Sequence, residues 1–170
     1  MSYRNIIFDL DGTLIDSAEL TGHIIDQMLA ERSGQKSADR ALIRSMDAVG
    51  GEPMIAAVMG AFTVNPAAEL EEFRTRNRSI EIPATLPFPG VRDTLRTLQG
   101  SGTRMAICSN KPQFLCEKIL GDLGMDGHFE AVFGSMPQRP RKPDPASAQL
   151  ALARLGAEPC DTLFCGDSIV

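Results

Sequence analysis

Asp9 and Asp11 stand one residue apart at the end of a short apolar run, Ile6-Ile7-Phe8, and Gly12-Thr13 follows at once. Residues i and i+2 of a strand face the same way, and a turn at the glycine can bring the second acid round the first. Two like charges so placed repel each other. A hard divalent cation relieves that repulsion, and magnesium suits carboxylates together with a phosphate oxygen. One carboxylate could then attack phosphorus, while the second gives a proton to the leaving oxygen and later takes one from water. Acids rarely sit in so apolar a setting as mere solvated surface, so the pair reads as chemical.

Three more places carry polar residues just beyond an apolar segment: Ser109-Asn110-Lys111, the stretch containing Lys142-Pro143-Asp144-Pro145, and Gly166-Asp167-Ser168. In parallel α/β sheets, ligands bind beyond the carboxyl ends of the strands. Asp167 is thereby a third candidate acid for the same ion. Lys142 would neutralise phosphoryl oxygens, and the Ser109 hydroxyl, with Asn110 and nearby N–H groups, would hydrogen-bond them. Lys111 divides between phosphate contact and loop structure, because Lys111-Pro112 also makes a helix start. Arg139 and Arg141 read as solvated, as do Arg44, Arg74, Arg76 and Arg78 on helical segments.

The elements that must position these residues are legible from periodicity. After the first strand, Leu20, Ile24, Met28 and Leu29 fall on one helical face from Ser17 to a stop at Ser33-Gly34. Between Ser37 and Arg78 only helical patterns occur, over Ala41–Val49, Pro53–Met59 and Pro66–Arg78. Ile82–Gly90, with Pro83, Pro87 and Pro89, reads as a return linker. The remainder alternates: helix Val91–Gln99, strand Arg104–Cys108, helix Pro112–Leu123, strand Ala131–Phe133, helix Pro145–Leu155, strand Thr162–Cys165. The expected class is α/β, a parallel sheet built from 1–15 and 88–170, interrupted by a helical unit over 16–87.

Composition narrows the partners. Twenty-two acids against 17 bases leave a net charge of −5, which disfavours nucleic acid or an anionic membrane surface. The first apolar run is too short for a span or an export signal. Cys108, Cys116, Cys160 and Cys165 form no CxxC pair and lie near neither His23 nor His128. That spacing argues against zinc and for reduced thiols in a cytoplasmic protein.

Phe8-Asp9-Leu10-Asp11-Gly12-Thr13-Leu14 resembles the first motif of the haloacid dehalogenase superfamily. Ser109 resembles that family's second motif, Lys142 its third, and Gly166-Asp167-Ser168 the start of its fourth. The resemblance implies a Rossmann-like core with a small helical cap and a magnesium-dependent reaction through an aspartyl-phosphate. It makes Asp9 the nucleophile, Asp11 the acid/base, and Asp9, the Asp11 carbonyl and Asp167 the ligands of Mg2+. Ser109-Asn110-Lys111-Pro112, Pro87–Val91 and Lys142–Pro145 look most like the phosphoglycolate phosphatase branch, which implies hydrolysis of a small phosphomonoester. The alternatives are a sugar phosphomutase of the same superfamily and a non-catalytic, truncated phosphatase-like domain. The family pattern places a further acid at 171 or 172 and another strand and helix beyond Val170, so a core truncated at its C-terminal side is expected, with Thr162–Cys165 at an open edge.

Overall fold

Asn5–Phe8 forms β1, and all four of its residues are buried, as a strand flanked on both sides within a covered sheet requires. The computed structural model describes residues 3–34, 37–46 and 49–167. Within them β1 lies between β2, Arg104–Pro112, and β4, Thr162–Cys165; β3, Ala131–Ser135, completes the order β3-β2-β1-β4. Every pairing is parallel, with Phe8 level with Ile107 on one side and Cys165 on the other. The strand ends that carry the candidate residues therefore lie along one edge of the sheet.

The chain divides into two compact units, Met1–Asp16 with Ile82–Val170, and Ser17–Glu81. The second unit is all-helical: α1, Ser17–Ser33; α2, Arg40–Met46; α3, Gly51–Met59; and α4, Pro66–Ser79. Positions 47 and 48 of the second expected helix lie outside the described residues. Ile24, Ile25, Met28, Ile43, Ile55 and Phe73 pack into a core of the unit's own. Residues 82–88 sit with the sheet unit because they pair with its first loop: the Asp16 N–H donates to the Leu86 carbonyl, and the Phe88 N–H to that of Leu14.

In the sheet unit, α5, Val91–Gly100, α6, Gln113–Asp122, and α7, Ala146–Leu155, follow the alternation expected from sequence. α7 lays Ala151 and Leu155 against Ile7, Ala106 and Cys108; burying one such leucine is worth roughly 1.5–3 kcal/mol. The largest departure is β2. It does not stop at Cys108 but continues to Pro112, shifting register against β3 between those two residues. Ser109, Asn110 and Lys111 consequently belong to an extended strand and not to a loop.

Among the described residues no helix is long and apolar enough to cross a membrane. The four cysteines are free thiols.

Candidate active site

The loop after β1 is folded round one carbonyl. The N–H groups of Thr13, Leu14 and Ile15 all point to the Leu10 oxygen, and the Gly12 N–H returns to the Ile15 oxygen. Gly12 has φ +70°, a region L side chains rarely adopt. Its missing side chain also matters for space, because the carboxylate of Asp167 occupies the position a Cβ would take. The acid after β4 thus reaches the loop after β1. Ser168 of the same motif lies outside the described residues.

Asp9 is anchored at its main chain, where its N–H donates to the Cys165 carbonyl at 2.8 Å. Its Oδ1 accepts from the Leu10 N–H at 2.7 Å, and Oδ2 faces the Nζ of Lys142 at 2.5 Å. The Asp9 side chain is 12% exposed and that of Lys142 10%. Charges so far from water persist only when paired. Lys142 also lies over the Phe164 ring, 5.6 Å from its centroid.

Asp11 has its own lysine. Lys111 Nζ lies 2.9 Å from Oδ1 and 3.1 Å from Oδ2, and only 12% of the lysine side chain is exposed. In the sequence Lys111-Pro112 doubles as a helix start, and in the structure Lys111 instead lies within β2. Their i, i+2 spacing is the sequence signal that could have linked Ser109 and Lys111, though a register shift against β3 falls in this stretch. Ser109 is buried, and its Oγ accepts the Lys111 N–H at 3.3 Å. A hydroxyl accepting one bond keeps its own proton to donate.

Asn110 reaches the segment that carries Lys142. Its side-chain amide meets the main chain of Lys142, with Oδ1 accepting from the Lys142 N–H at 2.7 Å and Nδ2 donating to the carbonyl at 3.1 Å. Arg139, read from sequence as solvated, is half-buried. It donates to the Gly134 carbonyl at 2.6 Å and to Gln113 Oε1 at 3.2 Å, and it stacks on Phe133. No local pattern marked it.

Three of the helical unit's arginines named from the sequence are ion-paired. Arg44 meets Glu19, Arg74 meets Glu71, and Arg76 bridges Glu31 and Glu72. Burial works against the charge of Glu69, but the N–H groups of Val64 and Asn65 and the Arg32 guanidinium outweigh it and hold the carboxyl below its ordinary value. Burial likewise opposes the Asp26 charge, yet Arg40 and the Ala38 N–H draw that carboxyl down.

Asp9, Asp11 and Asp167 offer only oxygens, and the reach of Asp167 to Gly12 brings the third donor to the first loop, so the set fits a hard divalent cation in kind. Among the described residues no cluster of three or more such side chains is drawn tight enough to hold a metal ion. Two of these acids, Asp9 and Asp11, are also ion-paired with lysines.

A family model for haloacid dehalogenase-like hydrolases matches residues 3–170. The chain is 34% identical to a phosphoglycolate phosphatase from Xylella fastidiosa, covering 98% of this chain and 72% of that protein. It is also 34% identical to one from Pseudomonas syringae pv. tomato, covering 96% and 62% respectively. It spans 62% of the length of the Pseudomonas relatives it matches. A HAD-superfamily hydrolase from Geobacter sulfurreducens superposes with a TM-score of 0.75 at 21% identity, over 99% of this chain and 80% of that one, and so speaks to the fold alone. With a parallel sheet, acids at the ends of its strands and a family match over nearly the whole chain, this protein belongs to the haloacid dehalogenase-like hydrolases.

Proposed function

We propose that this chain is the catalytic core and helical cap of a magnesium-dependent phosphatase acting on a small, phosphoglycolate-like phosphomonoester in the cytoplasm. The observation that carries the reading is the pairing of two acids in one loop with two separate lysines, Asp9 with Lys142 and Asp11 with Lys111. Each acid faces its own lysine, and the Asp11 side chain is the more exposed of the two, 26% against 12% for Asp9. The phosphoglycolate phosphatase relatives support the substrate class.

In this reading an Asp9 carboxylate oxygen attacks phosphorus as the bond from phosphorus to the ester oxygen breaks. Asp11 gives its proton to the departing alkoxide. Water then attacks the aspartyl-phosphate, losing a proton to Asp11 and cleaving the phosphorus–Asp9 bond, so that phosphate leaves and Asp9 is regenerated. Lys142 and the Ser109 hydroxyl stabilise the phosphoryl oxygens. Asp9, the Asp11 carbonyl and Asp167 would hold Mg2+, which when bound offsets the negative charge of carboxylate and phosphate.

The test is phosphate release from a panel of phosphomonoesters, 2-phosphoglycolate among them, with Mg2+ and with a chelator. Release that needs the metal and is lost in Asp9→Asn is expected. Full activity of Asp9→Asn would sink the mechanism, and isomerisation of a hexose phosphate without net release would assign a mutase.

A further inference from the structure

The segment that delivers Lys142 has little regular structure to hold it. Arg141, Pro143, Asp144 and Pro145 around it are exposed, and α7 begins only at Ala146. Yet the Lys142 ammonium must be held beside Asp9 at the end of a different strand. What fixes its backbone is the side chain of Asn110. That amide satisfies both the N–H and the C=O of Lys142, reproducing with one side chain the two-way bonding a neighbouring strand would supply. An amide can do this because one end accepts while the other donates at any pH near neutrality. A weaker bond runs the other way, from the Arg141 guanidinium to the Asn110 carbonyl at 3.5 Å.

Asn110 has its own place in the sheet unit. It lies within β2, between buried Ser109 and the ion-paired Lys111. Farther along, Gln113 accepts the Gly134 N–H at 2.7 Å, and Arg139 ties that part of the segment to the Gly134 carbonyl. The segment is thus held at two points, Arg139 and Lys142, and only the second bears on the reacting pair.

We infer that Asn110 is a positioning residue, which holds the main chain of Lys142 so that its ammonium is presented to Asp9, and that it is not a phosphate ligand. The inference rests on the reading of Asp9 and Lys142 as the reactive pair. An amide whose acceptor and one donor are already engaged with the backbone is poorly disposed to follow a phosphoryl group.

The test uses Asn110→Ala and Asn110→Asp, each in the wild-type and the Lys142→Ala background. Asn110→Asp keeps the acceptor for the Lys142 N–H but turns an acceptor on its carbonyl, so it should be as poor as alanine. Because small misplacement of a reacting group can cost up to about 100-fold, kcat should fall roughly 10- to 100-fold with KM changed by no more than about 2-fold. In the Lys142→Ala background the same substitutions should change little, since residues acting as a unit are non-additive. A loss that persists in that background, with weaker inhibition by inorganic phosphate, would place Asn110 on the phosphate and overturn the inference.

Hydrogen exchange gives a readout independent of turnover. The Lys142 amide should exchange roughly tenfold faster in Asn110→Ala, as expected for loss of one hydrogen bond, while Ala106 to Cys108 keep their protection. Unchanged exchange at Lys142 would overturn the clamp whatever the activity. Faster exchange in a protein that hydrolyses no phosphomonoester would uphold the clamp and reject the phosphatase reading.

Discussion

Lys142 Nζ lies 2.5 Å from Asp9 Oδ2 although 133 residues separate the two in the chain, and neither side chain is more than 12% exposed. A pair so shielded is worth most when intact, because removing either partner strands the other charge away from water. Lys142→Ala should therefore lose stability, by about 2–3 kcal/mol in urea unfolding, and should also lower kcat by at least about 100-fold. A variant as stable as the parent would show that the pair is not shielded as described.

Gly12→Ala should be costly twice over. The left-handed backbone at φ +70° penalises a side chain by about 1–2 kcal/mol, and the new methyl group would displace the Asp167 carboxylate. We expect a lower melting temperature and, separately, a higher Mg2+ concentration for half-maximal phosphate release. A normal metal requirement in a destabilised variant would remove Asp167 from the proposed ligand set.

In the helical unit Gly22→Ala pits two effects against each other. Alanine in a helix is ordinarily better than glycine by up to about 1 kcal/mol. Here, however, a Cβ would fall on the Arg40 guanidinium, which bonds Asp26 at 2.6 Å and 3.2 Å and the Ala38 carbonyl at 3.1 Å. Loss of those bonds should win by about 1 kcal/mol. In the Arg40→Ala background the sign should reverse; destabilisation in both backgrounds would mean Arg40 is not the obstacle.

Glu69 supplies a pH signature. Its carboxyl is held below its ordinary value in the folded chain, so the stability it contributes is complete above the ordinary glutamate value, about 4.3, and is lost as pH falls through the lower folded value. Glu69→Gln should cost about 2 kcal/mol near neutrality, because a nearly buried acceptor of three donors is weakened. The gap between the two proteins should close in acid. A gap of constant size from pH 7 to pH 3 would contradict the assignment.

Thiol labelling tests burial at the sheet. Burial pushes Cys116 up to about 12, with partial relief from the Lys111 charge. At pH 8 Cys116 should resist alkylation in the folded protein while exposed Cys160 reacts. Equal labelling of the two would show the sheet unit opening.

Local pattern carried much of the architecture. The apolar run ending in Asp9 and Asp11 marked a buried strand with acids at its exit, and the 3.6-residue period located every helix from α1 to α7 within a few residues, because periodicity records which face a segment buries. Alternation of helix and strand likewise implied the parallel sheet. What remained for the tertiary structure was everything that depends on which strand lies beside which. Past Cys108, β2 meets β3 again only where Pro112 lies level with Ser135, across a register shift, and the stretch between carries Lys111 to Asp11 and Asn110 to Lys142. Arg139 is half-buried because Gly134 and Phe133 happen to face it. Contacts between residues 100 or 133 positions apart leave no trace in the periodicity of either segment, since each strand buries its own apolar residues whatever its neighbour brings.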